Sequence, residues 1–86
     1  MATEPTHVNE RAHMNQTEKS LIIRQLTHLM AERLTNAAAL ARSAATCSAE
    51  GNATATVEIA LGLDQPLYEA ATLLNAMTLI DRVASD

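Results

Sequence analysis

The chain has no Trp, no Phe and one Tyr, Tyr68. Aromatic rings supply much of the buried area in small domains, so this interior must come from Leu, Ile, Met and Ala. A single Tyr also leaves no platform on which successive nucleobases could stack. Basic residues are scarce as well: six Lys and Arg are scattered among ten Asp and Glu, for a net charge of −4. Direct nucleic-acid binding needs a basic face for the phosphates, and these residues do not form one. The one cysteine, Cys47, cannot close an internal disulfide, which suits a reducing compartment. No His or basic cluster lies near enough in sequence to activate its thiol. Cys47 therefore reads as a small, at least half-buried hydrophobe, with an intermolecular disulfide under oxidation as the other reading.

Glycine and proline number two each. Gly51 and Gly62 are isolated, so no Gly-rich loop is present to cradle a phosphate. His7, His13 and His28 have no Cys or carboxylate partners at metal-site spacing. His28 and Glu32 lie one helical turn apart and read as a surface pair. Nothing places a nucleophile beside a base, so no catalytic residue, metal or cofactor is expected. The opening MATEPTHVNERAH carries no apolar run, which argues against a signal peptide or a membrane segment. The expected compartment is the cytoplasm.

What the chain does have is aliphatic. Hydrophobic residues make up 48% of its 86 residues, enough for one small domain, and much of that share is Ala. An Ala-heavy core in so short a chain buries little area, and oligomerisation is the usual remedy. Residues 1–14 are polar and lack any apolar period, so a mobile N-terminal arm is expected there. A helical hairpin domain is expected over 15–86. Asn15 and Glu18 have capping-box spacing, with Thr17 an equal alternative as cap, which predicts a helix from near Asn15 to about Ser48, where Gly51 and Asn52 stop it.

On a helical wheel this helix has an apolar arc of roughly 200°, about twice what a one-sided surface helix uses. Ile23, Leu26, Met30, Leu34, Ala37, Ala41 and Ala44 form its centre, widened by Ile22, Leu29 and Leu40 on one side and Ala31, Ala38 and Ala45 on the other. One neighbour cannot cover that width, so two contacts are expected, one within the chain and one beyond it. Arg33 falls inside the arc, between Leu26 and Leu40. Either it lays its methylenes on apolar surface with its charge in water, or it crosses an interface to a carboxylate such as Asp64 or Asp81.

The stretch TATVEIALGLDQP admits two readings. Val57, Ile59, Leu61 and Leu63 alternate as in a strand, which could pair across a dimer axis. Ile59, Leu63, Leu67, Ala70, Leu74 and Met77 keep helical spacing straight through it. Length favours the second reading, a second helical arm broken near Gly62–Pro66. The last helix is expected to start at Pro66, capped by Asp64 or Gln65. Its core stripe is expected at Leu67, Ala70, Ala71, Leu73, Leu74, Met77, Ile80 and Ala84. A second, nearly uncharged stripe contains Tyr68, Thr72, Ala76, Leu79 and Val83. Tyr68 reads equally as an interface anchor or as core.

These readings predict an all-α antiparallel hairpin that dimerises into a four-helix-like bundle. The expected dimer or partner surface is Leu26, Leu29, Met30, Arg33, Ala37, Leu40, Tyr68, Thr72, Ala76, Leu79 and Val83. The segments LTNAAALARSAATC and ALGLDQPLYEAATLLNAMTLIDRV together resemble a set of small proteobacterial two-helix proteins that includes the QslA-type quorum-sensing anti-activators. The resemblance spans roughly residues 21–84. It implies a non-enzymatic homodimer that sequesters a LuxR-type transcription factor by masking its dimerisation surface. The alternative is a structural or assembly subunit whose apolar surface serves only self-association.

Overall fold

The computed structural model describes residues 15–85, and the arm expected over 1–14 lies outside them, as does Asp86. The described residues are helical, with no strand among them: α1 (Gln16–Ala49), α2 (Ala53–Leu61) and α3 (Asp64–Ser85). The strand reading of 54–63 is therefore replaced by helix, break and helix.

Each boundary has a local cause. Asn15 accepts from the Glu18 backbone N–H at 2.8 Å, and the Glu18 carboxylate accepts from the Asn15 N–H at 3.3 Å. This reciprocal box satisfies donors that the first turn would otherwise leave open. At the other end, the Gly51 N–H donates to Ser48 O and the Asn52 N–H to Cys47 O, at 3.0 and 2.9 Å. These are the two bonds of a Schellman cap, and Gly51 takes the left-handed φ of 80° that it requires. Asn52 then caps α2, accepting from the Ala55 N–H at 3.1 Å.

The break between α2 and α3 follows from Pro66. Its ring nitrogen cannot donate to the Gly62 carbonyl and would crowd it, so the regular ladder ends there. Gly62 and Leu63 instead donate back three residues, to Ile59 O and Ala60 O, at 3.0 Å each. A new turn closes with the Leu67 N–H on Leu63 O at 3.1 Å. Thus α3 starts at Asp64, two residues before the expected start. Pro66 sits in its first turn, where a missing donor costs nothing.

The second arm, α2 with α3, packs back along α1. Lys19 Nζ meets Asp81 Oδ1 at 2.9 Å, the Thr27 hydroxyl meets Met77 Sδ at 3.8 Å, and Arg33 Nε meets Glu69 Oε1 at 2.8 Å. Leu40 Cδ1 lies 3.6 Å from where a Gly62 Cβ would stand. As the first residue number rises the second falls, so the arms are antiparallel.

The inward residues share one period. On α1 they are Ile23, Leu26, Met30, Arg33, Ala37, Leu40, Ala44 and Cys47, all buried or half-buried. On the second arm they are Thr56, Ile59, Leu63, Pro66, Ala70, Leu73, Met77 and Ile80. Both sets alternate steps of three and four residues, the roughly 3.5-residue repeat of a coiled-coil seam, and the second runs through the break unaltered. The register places Ile23 opposite Ile80, Met30 opposite Leu73, Ala37 opposite Pro66 and Ala44 opposite Ile59. Only alanines are buried among the described residues: Ala37 and Ala70 at 6% exposure and Ala44 at 8%. A buried methyl-sized group is worth roughly 0.8 kcal/mol. Three of them fall well short of the ~5 kcal/mol at the low end of domain stability, so the half-buried Leu, Ile and Met must supply most of the rest.

Candidate interaction surface

Because the arms are antiparallel, the residues that flank the seam fall on two distinct sides. One side is the less exposed, although Leu29 and Val83 stay exposed along it. Ile22, Ala55, Glu69 and Ala76 lie half-buried there, and the Arg33–Glu69 ion pair closes its middle. The other side is open: Leu34 and Ala41 of α1 and Leu67 and Leu74 of α3 are all exposed. Continuing outward from that open side come Ala31, Ala38 and Ala45 on α1, and Val57 and Ala71 on the second arm, also exposed. The result is an apolar face along one side of the hairpin. Its polar members lie mostly at the margins: Arg24, Asp64 and Asp81. The Thr27 hydroxyl donates to Ile23 O at 2.7 Å and that of Thr78 to Asn75 O at 2.8 Å. Both hydroxyls already have backbone partners, so contact with an apolar surface would strand neither.

A second apolar stripe runs down the outside of the second arm. Leu61 is 68% exposed and Tyr68 70%, and Leu79 and Val83 are exposed with them. Thr72 lies between, its hydroxyl donating to Tyr68 O at 2.9 Å.

The eleven residues expected at an interface divide accordingly. Leu26, Met30, Arg33, Ala37 and Leu40 face the second arm within the chain, and Ala76 is half-buried beside the seam. Tyr68, Thr72, Leu79 and Val83 lie on the outer stripe, and Leu29 is exposed on the flank of α1. Of the expected core stripe, Leu67, Ala71 and Leu74 are instead exposed and form the open face. Arg33 pairs instead within the chain, with Glu69 at 2.8 Å and more distantly with Glu32 at 4.0 Å. Leu67 and Leu74 are interaction candidates that wheel-based reasoning placed in the core, and Leu34 is one that it placed at the centre of the α1 arc. The signal that separates them is the 3.5-residue seam, since a straight 3.6-residue wheel drifts about 20° per heptad against it.

His28 Nε2 lies 3.5 Å from Glu32 Oε2 on the exposed side of α1, a surface pair. Cys47 is a free, half-buried thiol at the closed end of the seam. Among the described residues, no three His, Cys, Asp or Glu are grouped to hold a metal ion. No described helix is long and apolar enough to cross a membrane. In comparisons with known proteins, the chain matches no family model, no curated protein and no solved structure.

Proposed function

We propose that this chain is a non-enzymatic protein–protein interaction module. It acts as a cytoplasmic homodimer in a four-helix-like bundle, and it sequesters a transcriptional regulator. The observation that carries the reading is the inversion of its apolar surface. The most buried of the described side chains are alanines, whereas Leu34, Leu61, Leu67, Tyr68, Leu74 and Leu79 are exposed. Exposed apolar surface gathered into stripes marks an interaction site rather than scattered surface residues. There are two stripes on different sides of the hairpin, so self-association through one leaves the other for a partner. The likeness to the QslA-type group supports a LuxR-type regulator as that partner, with its dimerisation surface masked.

The test separates the two stripes. Sedimentation of the full chain at micromolar concentration is expected to give a dimer. Mixed with a LuxR-type regulator from the same cell, the dimer is expected to release that regulator from its DNA. Tyr68→Ala with Leu79→Glu is expected to abolish the release while leaving the dimer intact. A stable dimer that leaves the regulator bound would make the protein an assembly subunit instead.

A further inference from the structure

The open face sorts its charges by helix. Its charged residues are Arg24 on α1 and Asp64 and Asp81 on α3, all exposed. Arg24 makes no ion pair among the described residues, and the Asp81 side chain keeps 64% of its exposure while it holds Lys19 at 2.9 Å. The other described residues of the face are Leu, Ala, Val, Ser and Thr. One helix is thus marked positive and the other negative on a surface otherwise without charge.

With the helices aligned as in a bundle, a two-fold axis can lay two such faces together in two ways. An axis across the helices sets α1 on α1 and α3 on α3 of the other copy, so that facing helices carry like charges. An axis along the helices sets each α1 on α3 of the other copy, antiparallel to it, so that the positive helix meets the negative one twice. Charge complementarity selects the second. That axis leaves no freedom to slide, because rotation about the helix direction keeps every residue at its own height. The register across the dimer is then the register within the hairpin, where Ile23 lies level with Ile80 and Met30 with Leu73. Leu34 accordingly meets Leu67 of the other copy, Ala31 meets Ala71, and Arg24 comes within about one turn of Asp81. Helical side chains lean towards their own N-terminus. Between these antiparallel helices Arg24 and Asp81 therefore lean towards each other, while Asp64 stays at the margin of the face. The area is sufficient too. The 34 residues of α1 span about 51 Å, and two helices side by side present a face about 20 Å wide. That is roughly 1,000 Å², against about 800 Å² per partner in a stable interface.

We infer that the open face is the dimer interface, occupied by a second copy related by a two-fold axis along the bundle. The closed ends of both hairpins then lie together, and two symmetry-related Arg24–Asp81 ion pairs flank the Leu34–Leu67 contacts. Each Asp81 bridges Lys19 of its own chain and Arg24 of the other. The inference rests on the homodimer proposed above and specifies its face, axis and register.

Three measurements on the full-length protein test it, with folding followed by circular dichroism. A spin label on the cysteine introduced by Glu50→Cys, with Cys47→Ala to remove the native thiol, marks the closed end of the hairpin. The two labels of a dimer are expected about 25 Å apart by dipolar spectroscopy, roughly two helix diameters. A separation of about 50 Å, roughly the length of α1, would put the axis across the helices and overturn the inference, although the homodimer stands. In sedimentation equilibrium, Arg24→Asp and Asp81→Arg are each expected to weaken the dimer about tenfold, since each places like charges together twice. The double variant R24D/D81R is expected to be at least fivefold tighter than either single. If it is no tighter than the weaker single, Arg24 and Asp81 do not meet and the register is wrong. Leu34→Glu is expected to give a helical monomer; if it dimerises unchanged, the face is wrong. If the unmodified chain is monomeric throughout, both this inference and the homodimer fall.

Discussion

The two arms of the hairpin solve the same packing problem with different backbones. α1 is one helix of 34 residues, capped at both ends and unbroken. The second arm is two helices, of 9 and 22 residues, separated by a break at Gly62 and Leu63. Their inward residues nevertheless keep the same alternation of three and four. Continuity of the helix is thus less important than continuity of the seam, because side-chain burial against the other arm supplies most of a helix's stability. The break is tolerated where the seam is served on both sides of it, by Ile59 and Leu63 before and Pro66 and Ala70 after.

The sharpest way to break that equivalence is to charge the seam on the intact arm. Ala37 is 6% exposed and stands opposite Pro66. Ala37→Glu is expected to cost more than about 3 kcal/mol, because it buries a carboxylate in the seam where the nearest cation, Arg33, is already held by Glu69. Thermal melting by circular dichroism should show loss of the cooperative transition, and an unchanged melt would refute the seam.

A smaller effect separates the two glycines. Gly51 holds φ 80°, so Gly51→Ala is expected to cost about 1 kcal/mol in urea unfolding from left-handed strain. Gly62 has φ −67°, open to any residue, and an added Cβ would stand 3.1 Å from Ile59 O and 3.6 Å from Leu40 Cδ1. There, crowding opposes a gain in backbone entropy, and Gly62→Ala is expected to stay within about 0.5 kcal/mol of neutral. Equal costs at the two sites would mean that the break, like the cap, depends on glycine itself.

The smallest effect is expected at Arg33→Leu. The Arg33 and Glu69 side chains retain 35% and 38% of their exposure, so solvent screens their pair and its loss is worth at most about 0.5 kcal/mol. A Leu in this seam position offsets even that. Dimer affinity should be unchanged, since the pair closes within one chain; a weakened dimer would place the interface beside it.

Much of this fold was legible in the sequence, and the reason is local. Asn15 with Glu18 announces a start, Gly51 with Asn52 a stop, and Gly62 with Pro66 an interruption, because each acts through backbone groups a few residues away. The helical spacing of Ile59 and Leu63 correctly outweighed the strand-like alternation around them. Which apolar stripe faces inward was not legible. α3 is apolar nearly all round, so Leu67, Ala71 and Leu74 fit a core as well as Leu63, Leu73 and Ile80 do. Only the second arm's register against α1 separates them. Arg33 was likewise placed correctly in the apolar arc, but its carboxylate depends on that same register, which brings up Glu69.

Tyr68 has a further consequence. It is the chain's only aromatic residue and stands 70% exposed on the outer stripe, away from both the seam and the open face. Near-ultraviolet absorption and emission from this protein therefore report on one surface alone. A change in its spectrum on adding a tyrosine- and tryptophan-free fragment would mean that the outer stripe itself had been covered, with no label attached.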